Sequence, residues 1–286
     1  MTLQKIFGIA VMAGGAAYAV IFLRDTLKDR AALNREPGDF KVISILEFLI
    51  FFLCSIGLSD MLPNTLMCKK LHLTDDKNLP VTIIAAALVP GIVLAFSFLN
   101  ADFEVDMLTL LLFIGTYMTG TYIGSTIVSG LDGRVIKKAM GIALIFSLIA
   151  LIVKMIISEG AVGTLNGLRG FKLVLMCVLS LAMGAVNMLG VPMKPAITAM
   201  FLFMGFTPVN TLSMVLVMGV GALSGGIRIA RDKRYNKKVV LAGVIFGSIG
   251  AAVGSVMAIS LNPTLLNILL MGVMIIAIVS ILKPAK

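Results

Sequence analysis

Two short stretches place chemistry-bearing residues inside otherwise apolar sequence. Asn187-Met188-Leu189-Gly190-Val191-Pro192-Met193-Lys194-Pro195 holds an amide, a glycine, two prolines and a lysine, and Ser59-Asp60-Met61-Leu62-Pro63-Asn64 is a fainter counterpart. Proline fixes φ and lacks an N–H donor. In lipid every freed backbone group needs a partner, so such breaks persist only where protein buries them or where they line a cavity. A charge at that depth costs about 2.5–3.5 kcal/mol on insertion scales and so marks a functional position. Lys194 offers an ammonium to an anionic head group; the alternative is a cation that snorkels to the far interface. Asp60 has three readings: a proton-coupling carboxylate, an ion partner for Lys194, or an N-cap for the segment that follows it.

The neutral groups beside these charges are Ser59, Asn64 and Thr65 in one stretch and Asn187 and Thr198 in the other. Short helices starting at Pro63 and Pro195 would aim their first N–H groups at the space between the breaks, a natural anion site. Gly57 and Gly190 would let the backbone approach a ligand closely. Thr116, Tyr117, Thr119 and Tyr122 supply hydroxyls that could line the same space, with Tyr117 the candidate contact. Glu47 lies nearer the end of its helix that is expected in the cytoplasm, where Lys41 is a candidate partner; Lys154, near the outer end of its span, is read as snorkelling.

Several chemistries are excluded. The lone His72 lies beside Lys69 and Lys70 and is read as a surface residue, no Ser-His or Cys-His pair can be drawn, and no paired-histidine metal spacing exists. Cys54, Cys68 and Cys177 are scattered and odd in number, which fits neither a disulfide framework nor a metal site. No catalytic residue, cofactor or metal is expected, and the chain is not read as an enzyme. The net charge of +10 would suggest nucleic acid in a soluble chain. Here the cations sit in short loops between apolar runs, where retention on the cytoplasmic side explains them.

The elements that must position these residues are membrane helices. Of 286 residues, 59% are hydrophobic and only 13% charged, and the mean hydropathy is +1.07. A soluble domain carries roughly a quarter of its residues as charges. Apolar runs near the roughly 20 residues of a membrane crossing occur at 6–23, 40–58, 79–99, 107–128, 139–157, 171–189, 211–227, 239–261 and 264–282. Two shorter pieces, 62–71 and 195–206, directly follow the two breaks and have the length of re-entrant segments. The first run has Lys5 in front and Arg24, Lys28, Arg30 and Arg35 behind, the wrong order for a cleaved signal, so it is read as a retained helix with its N-terminus outside.

Loop charges give the orientation. The 228–238 loop carries six cations and the 130–138 loop Arg134, Lys137 and Lys138, so both are expected in the cytoplasm; Asp102, Glu104 and Asp106 suit an outside loop. Counting crossings between the cytoplasmic loops makes 171–206 start and end outside, either as a re-entrant hairpin or as two crossings. The same count makes 40–71 start and end inside. The halves also match at an offset near 130: Gly120 and Gly124 against Gly250 and Gly254, Met140-Gly141 against Met271-Gly272, Thr74 against Thr207. The paired glycines are small-xxx-small spacings suited to close helix packing.

The predicted fold is an all-α polytopic membrane protein of two inverted-topology repeats, 40–157 and 171–282. Each is a re-entrant helical hairpin plus three transmembrane helices, and an extra N-terminal helix and loop occupies 1–39. Inverted repeats whose broken helices meet at mid-membrane are a recurrent plan for secondary transporters. The pattern resembles the TauE/SafE-type sulfite and organosulfonate exporters over about 43–282. The second unit carries it best, from Leu181-Ala182-Met183-Gly184 through Pro195, Gly205-Phe206-Thr207-Pro208 and Gly250 to Ser255. The glycine cluster of that family is reduced here to Gly57 and Gly190, and Lys194 does not come from the resemblance. The resemblance implies a sulfur oxyanion or sulfonate as substrate.

The expected activity is therefore alternating-access transport of a small anion across the cytoplasmic membrane, coupled to H+ or Na+, with the C-terminus inside. A carboxylate carrier on the same scaffold, and a non-transporting membrane scaffold or sensor, are the alternatives.

Overall fold

The computed structural model describes residues 3–99, 105–128, 130 and 163–260. The apolar runs 139–157 and 264–282 lie outside the described residues, as do Arg134, Lys137, Lys138, Lys154, Asp102, Glu104 and the matched pairs at 140–141 and 271–272. Among the described residues every regular element is a helix.

A long helix α1 (Leu3–Lys28) and a short α2 (Arg30–Arg35) lead to α3 (Phe40–Cys54), α4 (Met61–Lys70), α5 (Leu79–Leu99) and α6 (Met107–Val128). The second half holds α7 (Gly170–Asn187), α8 (Lys194–Phe203) and α9 (Pro208–Asp232). A last rod follows, built from α10 (Lys237–Ala242), one π-helical turn (Gly243–Gly247) and α11 (Ser248–Ser260). Six of these rods are long and apolar enough to cross a membrane: α1, α5, α6, α7, α9 and the α10–α11 rod. Their outer faces carry large exposed side chains at helical spacing, such as Phe171, Val174 and Val178 on α7 and Ile45 and Leu49 on α3. A surface of that kind suits lipid rather than water. The described helices are those of a multi-pass membrane protein.

α5 and α9 are the central pair, with 72% and 67% of their apolar windows buried against 28% for α1 and 22% for α7. They touch where Gly219 meets the Gly91 carbonyl, a contact with no room for a Cβ. Both glycines sit near the middle of helices of 21 and 25 residues. The crossing point is therefore roughly 15 Å from either end of the pair.

The glycine pairs do pack helices, and the partners form a pattern. Gly120 and Gly124 of α6 meet backbone atoms of Leu181 and Ala185 on α7, while Gly250 and Gly254 of α11 meet those of Phe48 and Phe52 on α3. Each paired-glycine helix thus packs on the first arm of the other half's hairpin. The ends of α4 and α8 match as well. Leu71 N–H donates to Met67 O and Leu73 N–H to Cys68 O; Met204 N–H donates to Met200 O and Phe206 N–H to Phe201 O. These are the same bonds 133 positions apart, turned by left-handed backbone at His72 in one and Gly205 in the other. His72 is exposed, as expected.

Two polar clusters mark the ends of the bundle. At one, Asn236 donates to Leu73 O, and its neighbours in sequence hold three acidic residues: Lys233 and Tyr235 donate to Asp25, Lys237 to Asp29, and Lys238 to Glu36 and Gly38 O. The C-terminal end of α1 therefore lies with the cationic 228–238 loop. At the other, Arg169 forms a two-pronged bond to Asp106, Leu168 N–H donates to Thr109 Oγ1, and Leu165 pairs with Gly205 and Phe206. Phe206 precedes α9 and Asn236 follows it, so the two clusters are separated by that 25-residue helix, about 37 Å. The α3–α4 hairpin closes at the Asn236 cluster and the α7–α8 hairpin at the Asp106 cluster.

Helix ends differ from expectation in instructive ways. α4 begins at Met61 and α8 at Lys194, one to two residues before Pro63 and Pro195, because proline fits the first turn, where its missing N–H has no intrahelical partner to lose. The run 40–58 is helical only to Cys54, and 171–189 only to Asn187. Gly57 (φ 90°) and Gly190 (φ 77°) then turn the chain in left-handed backbone, which glycine alone adopts freely.

Candidate functional site

Each hairpin turns well past the middle of the bundle and returns to it. Gly190 sits against Pro80 and Ile83 at the start of α5, while Lys194, four residues on, lines a cavity with Gly91 and Gly219 at the crossing of α5 and α9. The tip is thus Gly190, and Lys194 lies behind it at mid-depth, on the first residue of α8. The α3–α4 hairpin behaves likewise. Ile56 packs against the cluster that holds Leu94, Phe98 and Leu212 toward the far end of the central pair, and the chain then comes back to Asp60 in the same cavity. The first turns of α4 and α8 meet there.

What joins them is a buried ion pair. Lys194 Nζ lies 3.0 Å from Asp60 Oδ1, with the two side chains 9% and 10% exposed, and donates a second hydrogen bond of 3.1 Å to Leu58 O. Its third neighbour is the Cys54 thiol. Lys194 therefore does not snorkel. Asp60 precedes α4 but makes no side-chain cap bond to it. Of its readings, the geometry shows the ion partner and not the N-cap.

The cavity has a volume of about 50 Å³. A water needs about 10–15 Å³ on this measure, so the space suits a few waters or one compact group of a few heavy atoms. Its polar wall is Ser59, Asp60, Asn187 and Lys194; Phe51, Leu88, Leu216 and Met218 supply the apolar wall, and Gly91 and Gly219 expose backbone to it. A second hollow of about 20 Å³ shares Ile84 with the first and is lined by Arg228, Asp232, Arg234, Ser125 and Met188. It lies toward the cationic end of the bundle.

Seven buried polar atoms lack a hydrogen-bond partner among the described residues: Ser59 Oγ and Asn187 Oδ1 on the cavity wall, and Asn64 Oδ1 and Nδ2, Tyr117 OH and both oxygens of Glu47 on α4, α6 and α3. Buried polar groups are almost always hydrogen-bonded, and each one left unmade costs about 1–3 kcal/mol. A concentration of them beside a buried cation is the signature of a site built to receive something polar.

The other sequence candidates separate cleanly. Thr198 spends its hydroxyl on Lys194 O and so braces α8 rather than facing the cavity. Thr116 and Thr119 bond to carbonyls of their own helix and Tyr122 is 57% exposed, so of that span only Tyr117 faces inward. Thr65 is buried on α4 but does not line the cavity. Pro63 and Pro195 serve as helix-start residues. The expected pairing of Glu47 with Lys41 is absent, since both oxygens of Glu47 are unpartnered; six residues along one helix put the two on different faces. Gly91 and Gly219 were missed. Their signal was a matched glycine in each central helix at an offset of 128, hidden among 28 glycines. Among the described residues no group of His, Cys, Asp and Glu could hold a metal ion.

Comparisons with protein-family models, with curated proteins and with solved structures find no match to this chain.

Proposed function

We propose that this protein is a secondary transporter for a small anion, with Lys194 as the cation that receives it. The observation that carries the reading is the buried Lys194–Asp60 pair, set where the first turns of two broken helices meet and ringed by unpartnered polar atoms. The N–H groups at the starts of α4 and α8 converge on it with positive dipole ends. In the state described, Asp60 acts as an internal counter-ion. An incoming anion competes with Asp60 for Lys194 and so unlatches α4 from α8, which belong to different hairpins.

The architecture is that of two inverted repeats. The reciprocal packing of glycine-paired helices on hairpin arms, the matching turns after α4 and α8, and hairpins closed at opposite ends of α9 all support it. Alternating access then moves one half against the other around a fixed central site. The cationic end of the bundle is cytoplasmic, which places the N-terminus outside, and the hollow beside Arg228 and Arg234 is the approach from that side. The cavity volume favours a compact anion of the sulfite or small sulfonate class, in keeping with the TauE/SafE resemblance. A carboxylate carrier is the competing reading.

A thermal-shift screen in detergent with sulfite, sulfoacetate and acetate side by side tests this. Saturable stabilisation by the sulfur anions, lost in Lys194→Met, is expected. Stabilisation by acetate alone favours the carboxylate reading, and no anion-dependent shift overturns both.

A further inference from the structure

Glu47 is the buried titratable group that the anion site leaves unused. It sits on α3 with no exposed surface, and among the described residues neither carboxylate oxygen has a hydrogen-bond partner. The charged neighbour that acts on it is Asp60, a like charge that lines the cavity. Among the described residues, no element packed against α3 brings it a buried, uncommitted cation. α11 and the π-helical turn carry no ionisable side chain. On α10, Lys237 and Lys238 are engaged with Asp29 and with Glu36 and Gly38 O. From α4 and its approach come Asp60, already paired with Lys194, and the Cys68 thiol; Cys54 lies on α3 itself. Lys69 reaches toward Asp76 at the surface.

An ionised carboxylate buried without a partner is strongly disfavoured, and a group so placed changes its protonation instead. We propose that Glu47 is the proton-binding site of the transport cycle and that the proton and the anion bind together. This rests on the anion-site reading above and moves the coupling proton from Asp60, committed to Lys194, to Glu47.

The charge count explains the coupling. With Glu47 protonated, Lys194 and Asp60 sum to zero, and an added anion is opposed by nothing beyond its competition with Asp60. With Glu47 ionised the same three residues sum to minus one, and a further anion is repelled at short range in a low-dielectric interior. Anion affinity therefore follows occupancy of Glu47 by a proton taken from water. By linkage one coupled proton changes affinity about tenfold per pH unit above its titration.

The test uses the full chain in detergent and methanesulfonate, whose charge does not change across the accessible pH range. Its affinity for the wild-type protein is expected to fall about tenfold per pH unit on the alkaline side, and that slope to vanish in Glu47→Gln, which mimics the protonated side chain. An unchanged slope in Glu47→Gln overturns the proposal. Infrared difference spectra between two pH values give a second, ligand-free reading. A protonated-carboxyl carbonyl band present in the wild type and missing in Glu47→Gln supports the proposal, and a band that persists in the variant overturns it. Should methanesulfonate fail to bind the wild type at any pH, the anion-site reading fails, and the infrared band alone decides whether Glu47 carries a proton.

Discussion

Replacing both members of the buried pair should be far less damaging than replacing either one. Lys194 and Asp60 are 3.0 Å apart and about nine-tenths buried, so each compensates the desolvation of the other. Lys194→Met leaves the Asp60 carboxyl buried without its partner, and Asp60→Leu strands an ammonium whose remaining hydrogen-bond acceptor is Leu58 O. Breaking a buried pair from one side costs about 3–5 kcal/mol, whereas exchanging the whole pair for well-packed apolar groups is often neutral or stabilising by about 1–4 kcal/mol. The two singles together therefore predict a loss of about 6–10 kcal/mol, against little or none for the double variant. A coupling free energy of about 6 kcal/mol or more follows, well above the roughly 0.5–3 kcal/mol usual for contacting residues. Unfolding titrations in mixed micelles of a mild detergent and SDS, run on the wild type, both singles and the double, give the cycle. Additive losses would refute the view that these two charges stabilise each other in a dry interior. Restored stability in a double variant that no longer responds to anions would show that the pair is kept for binding.

Other perturbations read other parts of the structure. Gly190→Ala, at φ 77°, should cost about 1–2 kcal/mol in backbone strain and weaken anion-dependent stabilisation by displacing the start of α8, both visible by thermal shift. Gly120→Leu and Gly250→Leu drive a side chain into the backbone of Leu181 and Phe48; each should cost at least about 1–3 kcal/mol and broaden the gel-filtration peak. Asp106→Ala removes the acceptor for Thr109 N–H at the start of α6, a loss of about 1 kcal/mol. The Arg169 guanidinium beside Asp106 holds its carboxyl well below the usual carboxylate range. A depressed carboxylate contributes stability above its unfolded value near pH 4 and loses it as pH falls through the folded value. Melting of wild type and Asp106→Asn should thus differ at pH 5–7 and converge only well below pH 4.

How much of this was legible in the sequence follows from what each feature depends on. α5 and α6 appear with the expected bounds, because long apolar runs ended by polar residues leave little choice. The paired breaks pointed to residues that the fold brings into one cavity, Ser59, Asp60, Asn187 and Lys194, since proline, glycine and a charge in lipid need a tertiary reason. Which partner Asp60 takes was not legible: a carboxylate before a helix has the same local sequence whether it caps or pairs across the bundle. The choice between mid-membrane and the far interface for Lys194 was not legible because the chain turns at Gly190 and comes back before α8 starts, a path that apolar run lengths do not encode. Glu47 looked like a helix-end residue; that both its oxygens lack partners is a property of α4 and α11 closing over α3. The glycine spacings announced close packing, but only the assembled bundle gives their partners on α7 and α3. The π-helical turn at Gly243–Gly247 has no sequence signal that we recognise.

Counterflow of radiolabelled sulfite in proteoliposomes tests the central claim, an anion site at Lys194 that opens alternately to the two sides. Preloading with unlabelled sulfite should drive transient, saturable accumulation of label by the wild type, and Lys194→Met should reduce it to the level of protein-free vesicles. Counterflow that survives Lys194→Met in a correctly folded variant, or no saturable flux by the wild type with sulfite, sulfoacetate or acetate, would contradict it.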